Sequence, residues 1–440
     1  MPPPPARTAR RRDRLQRFVA RWLSCLLLLA VLAPVTFYGP LANSKTIVSD
    51  GLGYHAWTRA LIERDLRFCR LELEEVGALS RKNPGRGVCQ NQFPPGLALI
   101  RFPVMAPLVD TRPGAPLVSG AEHRANLYLG AIALLATCAL TVATCLRLGV
   151  PARAAHLATL ALTFGTGLFH YATFDASFTH VYSALGIATL LWLGVRHRRS
   201  STGLASAAAG VVAFFLTAIR LTNIIALGIL LVGYLLWSQR HHIRARFESR
   251  SLFRDGAPVL MGIALALAIQ VAYNYYASGE LMISSYGPAG RFLFERPKQL
   301  PVLFSYERGL FTWYPALAVA LAAVLSVRRS RFVGIWFAAL IAAYVALYGF
   351  WHNWHLGGGF GHRGFVDLAP IGMVALALAL GALAPRRRAL VTGAILLGAA
   401  ITIQLMAGYW RGSIPFQGAT QDVYWSHVLG ANSWWGALHR

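Results

Sequence analysis

The stretch Val48-Ser49-Asp50-Gly51-Leu52-Gly53-Tyr54-His55 holds one carboxylate between small residues, just after a long apolar run. A second acid lies in Phe174-Asp175-Ala176-Ser177-Phe178-Thr179-His180-Val181-Tyr182. Cations and histidines recur further on: Arg220 with Asn223, Arg291, Arg308, and Trp351-His352-Asn353-Trp354-His355-Leu356-Gly357-Gly358-Gly359-Phe360-Gly361-His362-Arg363. A carboxylate can take the proton of a hydroxyl nucleophile as a new bond forms. Arginines and histidines can clamp the oxygens of a phosphate leaving group. Each residue also has a plainer reading. An Asp beside Gly is a turn former or a helix cap, and Asp175 could cap a helix beginning near Ser177. Arginines at span ends can snorkel to headgroups.

Composition decides what positions these groups. Over 440 residues the hydrophobic share is 56%, and the mean hydropathy is +0.48. Such a chain suits a polytopic membrane protein better than a soluble domain. The net charge of +25 falls in short clusters: Arg7 to Arg21, Arg147 with Arg153, Arg196 to Arg199, Arg240 to Arg254, Arg328 to Arg331, and Arg386 to Arg388. These punctuate apolar runs instead of lining one face, which argues against nucleic acid as partner. Consecutive clusters leave room for an even number of crossings, so all can lie on one side, and the positive-inside rule makes that side cytoplasmic.

The runs predict crossings at about 18–38, 126–146, 155–172, 178–195, 203–219, 223–237, 257–276, 310–327, 332–350, 364–384 and 389–408. The expected fold is an all-α integral membrane protein of roughly eleven spans. A basic cytoplasmic tail (1–17) precedes a polytopic region (18–408), and an outer tail (409–440) follows it. The first outer loop, 41–95, is large; Tyr54, Trp57, Leu61 and Ile62 recur in it at helical spacing, suggesting an amphipathic interfacial helix. Segment 97–109 is too short and too rich in proline for a span and reads as re-entrant or interfacial. Leu41-Ala42-Asn43-Ser44 is a weak cleavage candidate, against which the long first run argues for a retained anchor. Cys69 and Cys89 share the outer loop and can form a disulfide there, whereas Cys25, Cys138 and Cys145 fall in apolar runs.

Orientation was set by arginine clusters alone, yet the acids and histidines gather on the opposite side. Asp50, His55, Asp175, His180, Arg220, Arg291, Arg308, His362, Arg363 and Asp367 all fall in or beside outer loops. Three histidines with an acid could bind a divalent metal, although their spacing matches no zinc signature.

With these motifs in this order, adding Phe93-Pro94-Pro95-Gly96, Arg220-Leu221-Thr222-Asn223 and Arg308-Gly309-Leu310-Phe311-Thr312-Trp313-Tyr314-Pro315, the chain resembles the GT-C superfamily of polytopic glycosyltransferases. That superfamily includes protein mannosyltransferases and the lipid A aminoarabinose transferase. The resemblance implies a polyprenyl-phosphate sugar donor, an active site at the outer face of a bacterial inner membrane, and a first-loop acid as catalytic base. The base role falls on Asp50 and a second acidic role on Asp175. Tyr54, His55, His180, Arg220, Arg291, Arg308, His362 and Arg363 are the expected substrate and phosphate contacts. Many relatives carry two adjacent first-loop acids; here Ser49 and Gly51 flank Asp50, so a metal-dependent variant using Mg²⁺ or Mn²⁺ stays open and no cofactor is assigned. The acceptor is an extracytoplasmic glycan, lipid or protein. A flippase or transporter is the main alternative; it predicts ionisable residues in mid-helix, where these runs have almost none.

Overall fold

The structure, a computed structural model of the 440-residue chain, describes residues 22–36, 45–69, 79–83, 86–112, 115–197, 203–239, 249–286 and 290–434. The expected basic tail 1–17 and the cleavage candidate 41–44 lie outside the described residues.

Helices occupy each of the expected apolar runs. The first is α1 (Trp22–Thr36), and the first outer loop contains α2 (Asp50–Glu63) and a two-stranded antiparallel hairpin, β1 (Leu79–Asn83) and β2 (Val88–Asn91). Then follow α3 (Gly96–Met105), α4 (Gly120–Arg147), α5 (Ala152–Phe164), α6 (Leu168–Thr173), α7 (His180–His197), α8 (Gly203–Ile219), α9 (Asn223–Gln239) and α10 (Ser249–Ser278). The chain continues through α11 (Gln299–Phe304), α12 (Leu310–Trp313), α13 (Pro315–Ser326), α14 (Arg331–Phe350), a 3-10 turn (Arg363–Leu368), α15 (Ala369–Ala382), α16 (Pro385–Trp410) and α17 (Gln421–Val428). Among the described residues five helices are long and apolar enough to cross a membrane: 120–147, 256–278, 331–350, 363–382 and 385–410. The run at 155–172 is two helices because Gly165 ends α5, and the run at 310–327 breaks where Pro315 starts α13.

Threonines in these helices are satisfied locally. The hydroxyls of Thr137, Thr141, Thr163 and Thr166 each donate to the carbonyl four residues back, at 2.7–2.8 Å. Those four hydroxyls are thereby satisfied within their own helices, as an apolar setting requires. α4 opens with a capping box: Glu122 N donates to Ser119 Oγ, and Ser119 N donates to Glu122 Oε2 at 2.7 Å.

One expectation for the first loop changes. α2 forms where the Tyr54–Ile62 periodicity places it, but Tyr54 and Trp57 face protein, not lipid. Tyr54 packs 4.6 Å from Phe93, and Trp57 lies between Phe68 and Tyr273 at 4.8 and 4.5 Å. Phe68, Phe93 and Tyr273 of α10 supply this second wall, and local periodicity could not foresee it. Segment 97–109 is helix α3 with Pro103 inside it, followed by a 3-10 turn at Ala106–Leu108. It is anchored by Arg101, which is fully buried, hydrogen-bonds Asn126 and lies 5.9 Å over Tyr182.

Cys69 and Cys89 are disulfide-bonded, closing a separation of 20 residues. β2, held in this way, reaches α2: Asn91 Nδ2 donates to the Gly53 carbonyl at 2.7 Å, three residues from Asp50. By the chain-entropy model a loop of this size contributes roughly 3 kcal/mol. Replacing both cysteines by serine is therefore expected to lower the unfolding free energy by about that amount, read as a lower thermal midpoint in detergent. An unchanged midpoint would show that the hairpin stands without the bond.

Candidate active site

α2 starts at Asp50 because Ser49, at φ 49°, turns the chain sharply into it. A non-glycine residue in this region costs about 1–3 kcal/mol. A carboxylate in the first turn of a helix is favoured by the helix dipole. Gly51 lets this end dock closely: a Cβ there would stand 1.8 Å from Ser177 Oγ. The Asp50 helix is thereby laid on the loop that follows Asp175.

Asp50 Oδ2 is 2.7 Å from Arg363 Nη2, with the Asp50 side chain 28% exposed and the Arg363 side chain 12%. The carboxylate is thus reachable, and its cation is largely enclosed. Arg363 also donates to the Leu356 carbonyl and lies 4.9 Å over the Phe178 ring. Tyr54, one turn after Asp50, is buried; burial first, then Tyr286, raises the pKa of its phenol, and Arg220 opposes the rise. Tyr286 is pushed up to about 12 by burial and by the Asp50 carboxylate. Two protonated phenols therefore stand near Asp50 at neutral pH.

Arg220 follows the end of α8. Its Nη1 is 3.0 Å from Asp367 Oδ2, and its Nη2 donates to the Tyr348 hydroxyl at 3.0 Å. His180 Nδ1 meets the other Asp367 oxygen at 2.8 Å. Asp367 is fully buried between the two. One short turn, Arg363–Leu368, thus presents a cation to Asp50 and an anion to Arg220.

Asp175 does not cap a helix, since α7 begins at His180. Its Oδ2 is 2.9 Å from His170 Nε2, and Trp410 Nε1 donates to His170 Nδ1 at 2.8 Å. An indole N–H can only donate, so Nδ1 must accept and Nε2 carries the proton toward Asp175. Phe174 stacks on Trp410 at 5.5 Å and closes an aromatic wall around the pair.

The glycine-rich loop is pinned at Phe360, whose carbonyl accepts from the Tyr171 and Tyr314 hydroxyls, both at 3.0 Å. Gly361 takes φ 55° beside the Tyr314 hydroxyl, a place without room for a Cβ. Arg308 braces the same loop. It is buried, donates to the carbonyls of Glu307 and Phe416, and lies 5.4 Å over Trp313. Phe416 in turn accepts from Gly359 N at 3.3 Å.

The other expected contacts are placed apart from this centre or engaged elsewhere. His55 is buried in a 2.7 Å pair with Glu122, the residue that also caps α4. His362 is fully buried between Tyr348 and Phe365, and burial lowers its pKa to about 3, so it is neutral. Arg291 is exposed; its carbonyl accepts from His352 N at 3.1 Å, and its side chain makes no ion pair among the described residues. Also among the described residues, no group of three His, Cys, Asp or Glu side chains is placed to hold a metal ion. Sequence reasoning missed His170, Trp410 and Tyr348; only a histidine in an apolar run five residues before Asp175 hinted at the first.

Asp367→Ala would leave Arg220 without its carboxylate in a buried setting, which costs about 3–5 kcal/mol. A correspondingly large fall in thermal stability is expected in detergent, and wild-type stability would mean that Arg220 is solvated there.

No protein-family model matches the chain, and no curated protein does. Among solved structures the chain is similar to the crystal structure of ArnT from Cupriavidus metallidurans bound to undecaprenyl phosphate. The match has a TM-score of 0.55 at 13% identity and covers 92% of this chain and 74% of that one. The described helices and this match agree: the chain has a GT-C-like fold.

Proposed function

We propose that this protein is a multi-pass membrane glycosyltransferase that moves a sugar from a polyprenyl phosphate to an extracytoplasmic acceptor, a glycan, lipid or protein of the cell envelope. The observation that carries the reading is the half-exposed Asp50 carboxylate paired with Arg363, beside Arg220 and two phenols. A reachable base next to phosphate-binding cations is what sugar transfer from a phosphate requires. ArnT, whose fold this chain shares, was crystallised with undecaprenyl phosphate. Further support comes from topology. Asp50, Asp175, Arg220 and Arg363 stand at the helix ends opposite Arg147, Arg196 and Arg329. With the arginine clusters cytoplasmic, the active site faces outward from the inner membrane and the N-terminus inward.

In this mechanism the donor phosphate binds Arg363 and Arg220 and competes with Asp50 for Arg363. The carboxylate released from Arg363 is then free to act. The acceptor hydroxyl oxygen attacks the anomeric carbon, with inversion, as the carbon–oxygen bond to phosphate breaks. The bonding pair leaves on the phosphate oxygen, and the hydroxyl proton passes to Asp50. Tyr54 and Tyr286 can donate to the departing phosphate. Asp175, held by His170, orients the acceptor. His55 and Arg308 keep α2 and the glycine-rich loop in place, and Arg291 lies at the rim.

A strain lacking the protein is expected to lose one sugar substituent from its envelope glycans by mass spectrometry. The natural protein should restore it, and Asp50→Asn should fail to. With purified components Asp50→Asn should lower kcat by roughly 10²–10⁴-fold with thermal stability unchanged. Near-normal transfer by that variant would remove Asp50 as base. Unmodified lipid cargo accumulating in the inner leaflet would favour a flippase instead.

A further inference from the structure

On the other side of the molecule from Asp50, α4, α7, α8, α9, α14 and α15 enclose a cavity of about 660 Å³. Its lining on α7 runs from Leu190 to His197. That is 10 to 17 residues beyond His180, or roughly 15–25 Å along the helix. The walls are almost wholly aliphatic and aromatic, and among the described residues no Asp or Glu lines them. The size is that of a pocket for one small ligand, roughly 300–1,000 Å³.

Among the described residues a guanidinium stands at one end only. Arg329 lines the mouth, is exposed, and gives one N–H to the Gly149 carbonyl at 3.0 Å. Nearby on α4 and α7, Arg147 and Arg196 lie over the Trp192 ring at 5.2 and 5.1 Å. The sequence places this cationic rim at the cytoplasmic surface, where anionic lipids concentrate. Deeper in, Trp336 presents a buried indole N–H that has no hydrogen-bond partner among the described residues. A buried donor of this kind calls for an acceptor.

We infer that the cavity holds one acyl chain of an anionic phospholipid of the cytoplasmic leaflet, with its phosphate on Arg329 and an ester oxygen on the Trp336 N–H. The occupant is not the sugar donor. In the proposed function the donor's phosphate is held at Arg220 and Arg363, and among the described residues the one guanidinium lining the cavity, that of Arg329, is at the far end. The exclusion of the donor rests on the proposed function, whereas the phospholipid assignment rests on the cavity and its rim.

The test is the lipid that stays with the full-length protein after purification in detergent and extensive washing, identified and counted by mass spectrometry. About one anionic phospholipid per chain is expected. Ala209→Trp, which fills the cavity from α8, should reduce it at least fivefold. Arg329→Glu, a change on an exposed side chain, should reduce the anionic species at least fivefold while the protein remains monodisperse. The inference is overturned by a natural protein that carries no stoichiometric phospholipid, by full retention in Arg329→Glu or in soluble Ala209→Trp, or by a prenyl phosphate as the retained species.

Discussion

The site depends on a single turn of 3-10 helix, Arg363–Leu368, that splits its charges between two partners. Arg363 points to Asp50 and Asp367 to Arg220, so two ion pairs meet where three distant segments of chain converge. Burying one such charge alone would cost several kcal/mol. Pairing each with an opposite charge, and giving Asp367 a second donor in His180, makes the arrangement tolerable. The same pairing selects one way to assemble the helices, because a shifted α8 or α2 would strand a charge.

The two pairs differ in a way that suits chemistry. Asp367 is fully buried and has contacts on both oxygens, so the Arg220 pair behaves as a fixture. Asp50 is partly exposed and pairs through one oxygen, so its pair can open. Around them the residues of fixed position are those that hold main chain: Arg308 on Phe416, Tyr171 and Tyr314 on Phe360, Asn91 on Gly53. Those contacts leave the Asp50–Arg363 pair as the part free to respond to a phosphate.

Much of the fold was legible because a membrane imposes length and apolarity on every spanning segment, and both are local properties. Each predicted run is helical, and the breaks at Gly165 and Pro315 follow residues that end or begin helices anywhere. The burial of α2 was not legible, since its second wall, Phe68, Phe93 and Tyr273, comes from segments outside the helix, one of them about 200 residues away, and not from periodicity. Pairings were hidden for a similar reason. Arg363 and Asp50, or Trp410 and His170, lie far apart in sequence and carry no mutual signal in one chain. His55 shows the limit of sequence distance: it lies five residues from Asp50, and those five residues of helix turn it toward Glu122.

The central claim is that donor phosphate and Asp50 compete for Arg363, and equilibrium binding of a polyprenyl phosphate to purified protein tests it most directly. The account predicts that Asp50→Asn binds the lipid phosphate at least as tightly as the natural protein, while Arg363→Gln binds it at least tenfold more weakly. Weaker binding by Asp50→Asn, or undiminished binding by Arg363→Gln, would contradict it.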